Sequence, residues 1–552
     1  MTLPIPRRTV VRATAWTVPA VTVAGTSPAF ASSPGVTYAL TAIPPTGATT
    51  VQTCTNVAAG TYKFQATRNG QPAPAGQQVT ITLPTGLRFS DGTTTKVLTT
   101  DANGQVSLPA ITPYGAAGTY TITATYQGKI ATQTLTTTAQ PGAVTAMNRS
   151  VTTAATGATF ALTTVGNLTD AVAGSIYGDQ YSSSNTGEGA NALILTTGGL
   201  VRYWGRDLGG VRSNPSTLQY NGTNITGMTM VDNWTSIAVS DNTTGGVVAN
   251  GSTTVYEVYR NGSSGTQIVT KITGFTGTVL GVRSDNGHNY LETTTGIWTW
   301  PTTKTAQTNN TVTLTSANQT VTGAVTAFDT WSHAISSTIS TVTYGGAAAS
   351  GSNMYIWRDT TTPTAVALPT GVTAANIVKI MAGDSGLMFL TKSGDLYSRG
   401  AGIQDANTWT KRATGIVDFS MWGFTTNTNY VGGVYINSAG QAYRFFSSKT
   451  GGWLTPELIR VGATNATTNP PLTNVVKSYS SDGTYMLLTA DGKVYAAGGN
   501  IDNSGRTGAQ VLNTGGGFVR DLNVWGLHFP DSTGVEKYFG GGYVITGAVS
   551  CA

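Results

Sequence analysis

The stretch YMLLTADGKVYAAGG, Tyr485–Gly499, reads as a short apolar strand, a turn on Asp491-Gly492, and a second apolar strand. An Asp-Gly pair supplies the positive φ that a tight hairpin needs. The same phrase recurs as ALILTTGGLVRYWG from Ala192, LMFLTKSGDLYSRG from Leu387 and GVYINSAGQAYRF from Gly433. Looser copies are NYLETTTGIWTW from Asn289 and the segments ending at Tyr259 and Arg358. Their second strands begin at Val201, Val255, Ile297, Met354, Leu396, Ala442 and Val494, at intervals of 42 to 57 residues. Units of two to four short strands cannot bury their own apolar face, so the copies must stack. For all-β repeats of this length the stacked form is a ring of blades, a β-propeller.

A second rhythm lies over the first. Trp234, Trp331, Trp422 and Trp525 recur at about twice the repeat length, each followed by a glycine pair: Gly245-Gly246, Gly345-Gly346, Gly432-Gly433 and Gly541-Gly542. The duplicated unit is therefore two blades, present four times. Two roles are open for the tryptophans. Trp331, Trp422 and Trp525 could stack sugars, or a large side chain in every second blade could fill the wedge between neighbours. The last copy stops at Gly547, where its second hairpin strand should begin. The strand-like run Phe160–Val165 can complete it and close the ring, which removes exposed sheet edges. Seven full copies and one split copy make eight blades, with seven as the alternative count.

Charged residues are 10% of the 552-residue chain, far below a usual soluble domain, and Gly, Thr, Ser and Asn take their place. This composition favours short strands and tight turns, and almost nothing in it has helical periodicity. Residues 1–31 read as an export leader. Arg7-Arg8-Thr9-Val10-Val11-Arg12 fits the twin-arginine pattern, a mildly apolar stretch follows, and Ala29-Phe30-Ala31 is a small–x–small cleavage signature. Three of the basic residues lie in this leader, so the formal charge of +6 falls to about +3 in the mature chain. No basic run or aromatic-interleaved basic stripe remains, which argues against nucleic acid as a partner. No apolar run is long enough for membrane insertion. The expected location is extracellular: free, or held non-covalently on a surface. Cys54 and Cys551 are the only cysteines, and in an oxidising compartment they invite a disulfide within the chain. Two free thiols or a bridge between chains are the alternatives.

Residues 32–137 read as a separate β-sandwich, with period-two strands such as Gln78–Leu83 and Gly118–Tyr126. The turn Thr100-Asp101-Ala102-Asn103-Gly104 and the strand Gly118-Thr119-Tyr120-Thr121-Ile122-Thr123-Ala124 resemble bacterial immunoglobulin-like domains of the invasin and intimin type. That resemblance implies a spacer or presenter on a cell surface. Asp101 and Asn103 fit a turn better than a metal site. Residues 138–150, which include Pro141-Gly142, are expected to be a linker, and 151–552 the propeller. Within the latter, Asn474–Tyr479 followed by Gly483–Thr489 and Asp491–Asn500 resembles the regulator-of-chromosome-condensation repeat, and the leader resembles those of secreted actinobacterial proteins. A histidine at the family's second-strand position is absent from every copy apart from His333 and His528. The resemblance implies a propeller and carries no nucleotide-exchange activity over to an exported chain. Secreted propellers of this repeat type that inhibit β-lactamases are the nearer analogue, in architecture and export alone.

Catalysis needs a positioned acid, base, nucleophile or metal. His288, His333 and His528 are far apart, no catalytic or metal-binding motif occurs, and Asp91, Asp285, Asp482 and Asp491 precede Gly or Asn in turns. The sequence therefore points to no catalytic, cofactor or metal site. Two functions stay open. One is a secreted, non-catalytic binding or adhesion protein presenting a propeller face to an extracellular protein or glycan. The other is a secreted propeller enzyme, a glycan hydrolase or lyase, with acids gathered from several blades.

Overall fold

The computed structural model describes residues 36–547 except 53–54, 85, 114–117, 139–141, 152–160, 167, 179–189, 206–212, 236–242, 262–266, 286, 303–309, 335–341, 360–361, 384–385, 401–404, 425–429, 449–451, 463–465, 482–483, 499–507, 512–517 and 531–535. Residues 1–31, expected to be an export leader, and both cysteines lie outside the described residues. Among those described, every regular element is a strand except the single 3-10 turns Ser316–Asn318 and Ala374–Asn376. The chain divides into two compact units, with the boundary along the sequence between 140 and 141.

In the first unit, one sheet runs in the order Thr50–Gln52, Lys129–Thr138, Gly118–Tyr126, Gln78–Thr82, Thr95–Thr99. A second sheet, with Lys63–Arg68 at its centre, joins it over a core that includes Phe64, Val79, Ile81, Ile122, Ala124 and Leu135. Alternation sends every second residue out. Many outward positions hold threonine: Thr95, Thr82, Thr123 and Thr132 lie side by side across four strands, and the next row, Val97, Thr80, Thr125 and Ile130, adds two exposed aliphatics. Asp101 accepts from the N–H groups of Asn103 and Gln105 at 2.8 Å each, which is an Asx turn.

Among the described residues, the second unit contains eight sheets of four or five strands and one two-stranded sheet, Gln219–Tyr220 with Thr223–Asn224. Each of the eight starts with an inner strand and is built outward by antiparallel neighbours, with a parallel outermost strand added in sheets two and seven. The inner strands of sheets one to eight are Ala171–Gly178, Met230–Thr235, Val279–Asp285, Ala327–Ala334, Ile377–Ala382, Ile416–Phe424, Val475–Ser481 and Phe518–Pro530. Each packs against the next, and the eighth against the first, so the ring is closed. The hairpin of the opening stretch forms the second and third strands of sheet seven, Thr484–Thr489 and Val494–Gly498, with Gly492 at φ +76° in the turn.

Sheet eight is assembled from both ends of the unit, in the order Ala161–Thr164, Ala143–Val151, Glu536–Gly547, Phe518–Pro530. This corrects the expected linker. Residues Ala143–Val151 are a central strand, paired with 538–546 on one side and 161–164 on the other. Among its described side chains the buried face is marked by the small apolar Val144 and Ala146, so the sequence A-V-T-A-M-N-R lacks the bulky pattern of the other strands.

Candidate functional site

An inner strand has a partner on one side only. Its other edge faces the ring axis with N–H and C=O groups that no strand satisfies. Four aspartates, one on the inner strand of each even-numbered sheet, serve that edge. Asp232 of sheet two accepts the Ser175 hydroxyl of sheet one at 2.8 Å and the Ser284 N–H of sheet three at 2.9 Å. Asp329 of sheet four accepts the Ala382 N–H of sheet five at 2.9 Å and pairs with Arg283 of sheet three at 3.5 Å. Asp418 of sheet six accepts the Ser478 N–H at 2.9 Å and its hydroxyl at 3.2 Å, both from sheet seven, and pairs with Lys379 of sheet five at 2.6 Å.

Asp521 of sheet eight completes the pattern through a relay. It pairs with Lys477 of sheet seven at 3.2 Å and accepts from Tyr479 at 3.3 Å and Tyr543 at 3.4 Å. The Tyr543 hydroxyl also donates to the Gly174 carbonyl of sheet one at 2.7 Å. Burial first, and the Asp521 charge second, push both phenols well above their ordinary range, so they stay protonated donors. Each carboxylate thus links the odd-numbered sheets on either side of it. Charge-assisted bonds of this type are stronger than neutral ones, and together they form a polar belt around the axis.

The belt is missing from the sequence reading, which placed acids in turns. Its signal is nevertheless present: an aspartate stands two or four residues before every repeat tryptophan, in VDNW, FDTW, VDFSMW and RDLNVW. Asp285, expected in a turn, also reaches out of its sheet and accepts the Thr330 hydroxyl of sheet four at 2.5 Å.

The tryptophans prove to be packing elements where their side chains are described. In the antiparallel register Trp234 faces Gly245, Trp331 faces Gly345, Trp422 faces Gly432 and Trp525 faces Gly541. Trp331 and Trp422 are 5% and 8% exposed, which leaves no ring face for a sugar. A Cβ on Gly345 would come within 2.6 Å of the Trp331 ring, and one on Gly432 within 2.6 Å of the Trp422 ring. The glycine makes room for the indole. The stacking role is therefore withdrawn for Trp331 and Trp422, and the side chain of Trp525 lies outside the described residues. The histidines do not converge. His288 is in sheet three, stacked on Tyr344 at 3.7 Å, while His333 and His528 sit on the inner strands of sheets four and eight. Among the described residues no group of three or more His, Cys, Asp or Glu side chains could hold a metal ion.

No protein-family model matches the chain. No curated protein matches its sequence. Among solved structures, it is similar to human WBSCR16 at 12% identity and a TM-score of 0.40, over 74% of this chain and 100% of that one. It is similar to yeast RCC1 (Prp20), solved with Kap60, at 13% identity and a TM-score of 0.34, over 74% of this chain and 90% of that one. It is also similar to BamB from Moraxella catarrhalis at 14% identity and a TM-score of 0.35, over 63% and 93%.

Proposed function

We propose that the chain is an exported, non-catalytic binding protein whose propeller presents a face to an extracellular partner. The sandwich, as an immunoglobulin-like spacer, would hold that face away from its point of attachment. One observation carries the reading. The four carboxylates that the described inner strands bring to the ring axis, Asp232, Asp329, Asp418 and Asp521, are engaged by backbone N–H groups, hydroxyls or cations. An acid–base pair for glycan cleavage needs one carboxyl free to hold a proton and another free to attack or activate water. The belt offers neither.

Cleavage after Ala31 and a bond between Cys54 and Cys551 belong to the same proposal. N-terminal sequencing of the mature chain and mass spectrometry of a non-reduced digest test these two points directly. The functional test presents the secreted chain to a glycan array and to an extracellular protein panel, with product analysis on every glycan retained. Saturable capture with the ligand recovered intact is the expected result. Turnover of any glycan, lost on changing an inner-strand aspartate, refutes the proposal in favour of the enzyme.

A further inference from the structure

The five-stranded sheet of the sandwich ends in the strand Thr95–Thr99, which pairs with Gln78–Thr82 on one side and with no described strand on the other. Hydrogen-bonded and non-hydrogen-bonded pairs alternate along an antiparallel ladder. The Thr100 N–H donates to the Gln77 carbonyl at 2.9 Å and the Leu83 N–H to the Thr94 carbonyl at 2.8 Å, so the bonded residues on this strand are the even-numbered ones. Thr95, Val97 and Thr99 therefore turn their N–H and C=O groups away from the sheet. Their side chains are exposed, Val97 by 58%, and even the inward-facing Lys96 and Leu98 are only half-buried.

An open edge strand invites pairing with another chain, and proteins blunt such edges with proline, bulges, short length or cover. The other edges of the sandwich show these devices. Gln71–Pro72 carries a proline, and Thr50–Gln52 and Gln105–Ser107 are three residues long. Tyr38–Ile43 packs along Lys129–Thr138 of the facing sheet and runs into Pro44-Pro45. Thr95–Thr99 has no proline and no bulge. Its one charge is neutralised close to the sheet: Lys96 lies over the Phe89 ring and pairs with Asp91 at 2.5 Å.

We infer that Thr95–Thr99 joins two copies of this chain edge to edge, as an antiparallel pair about a two-fold axis at Val97. A second copy is the occupant because the strand is complementary to itself. Rotation about Val97 sets Val97 opposite Val97, Thr95 opposite Thr99 and Lys96 opposite Leu98. Every outward N–H and C=O of the three odd-numbered residues then finds a partner. On the exposed side valine meets valine and threonine meets threonine, which are favourable cross-strand pairs, and no like charges face each other. The contact is smaller than a standard interface, so it is weak between free molecules and gains strength where many copies are held on one surface. The inference goes beyond the binding reading above: it concerns the sandwich alone and does not depend on what the propeller binds.

Sedimentation of the secreted full-length chain over a concentration series, with and without reductant, separates this pairing from any cysteine bridge. Two variants break it. Val97→Asp sets two carboxylates together at the axis. Val97→Pro removes a donor that the sheet itself does not use, so the single chain should keep its fold. Thr132→Asp, exposed on the same face three strands away, controls for added charge, and thermal melting checks all three variants. Expected is a reversible dimer that persists in reductant, with a dissociation constant raised roughly tenfold or more in both Val97 variants and unchanged in the control. Backbone amides of 95–99 should also exchange more slowly with deuterium as the concentration rises. A monomer at the highest soluble concentration overturns the inference. So does a dimer that the Val97 variants leave intact or the control weakens equally, or exchange at 95–99 that ignores concentration. None of these outcomes touches the binding reading, which the glycan array and protein panel test separately.

Discussion

Gly432→Ala isolates the rule that ties the tryptophans to their glycines. The three atoms nearest a Cβ at this position all belong to the Trp422 ring, at 2.6, 2.8 and 3.1 Å. The ring is 8% exposed and lies near Phe446, with ring centres 6.3 Å apart, so it has little room to retreat. Overpacking of one methyl in a filled core costs about 1 to 3 kcal/mol. Against this, alanine restricts the unfolded chain and returns about 0.4 to 1 kcal/mol. The net expectation is a loss of about 1 to 2 kcal/mol, read as a lower denaturant midpoint by circular dichroism. The decisive comparison repeats the substitution in a Trp422→Leu background. That variant is itself destabilised by about 3 kcal/mol through the lost indole, but its shorter side chain vacates the space over position 432. There the alanine should cost nothing or stabilise slightly, giving a coupling of about 1 to 2 kcal/mol between the two sites. An equal cost in both backgrounds would falsify the account, and the glycine would then be present for backbone reasons.

The belt predicts an asymmetry: Asp418→Ala, which strips the Ser478 N–H and leaves Lys379 without its partner, should cost about 2 to 4 kcal/mol. Lys379→Met should cost only about 1 kcal/mol, because Asp418 keeps its bonds from Ser478; equal losses in chemical denaturation refute the amide-capping role. Ala146→Pro removes a ladder donor from the middle of sheet eight, between 543 and 163, and should cost about 3 kcal/mol or more with aggregation on heating; unchanged melting and light scattering would mean that the ring closes without this strand. Burial raises Tyr62 and Tyr435 to about 12, and it also pushes Tyr479 and Tyr543 well above the ordinary phenol range. The fold therefore favours the neutral phenols. Their contribution is intact below pH 10, where the unfolded chain ionises, and is lost as pH rises from there toward the folded values. Tyrosinate absorbance should then appear together with unfolding, and a gradual titration with the fold retained is the opposing result.

The parts of the fold legible in the sequence are those whose partners are neighbours along the chain. The second and third strands of each sheet are joined by a short turn, so Asp491-Gly492 and the apolar runs beside it announce a hairpin directly. The Trp–Gly spacing is legible for the same reason, since Trp422 and Gly432 face each other across one hairpin. The belt is not. Asp232 and Ser284, or Asp418 and Ser478, are 52 and 60 residues apart and meet only when sheets stack. Bulges are hidden differently: Val475-Val476 reads as two apolar neighbours in one strand, and only the register shows one buried and the other re-aimed. Residues 138–150 read as a linker because the strand that makes Ala143–Val151 central lies almost 400 residues away.

The belt also bears on why the chain repeats in units of two sheets. The four belt carboxylates lie on the inner strands of even-numbered sheets. Asp232, Asp329 and Asp418 each use one oxygen toward the preceding sheet and the other toward the following one, while Asp521 meets sheet seven directly and reaches the Gly174 carbonyl of sheet one through Tyr543. Donors and acceptors do not alternate strictly, since Asp285 of sheet three accepts from Thr330 of sheet four. One carboxylate nevertheless serves two junctions, and each buried N–H left without it would cost about 1 to 3 kcal/mol. A two-sheet unit with one such aspartate therefore carries the links for both of its junctions, and the tryptophan, its glycine pair and its aspartate recur together on every second sheet.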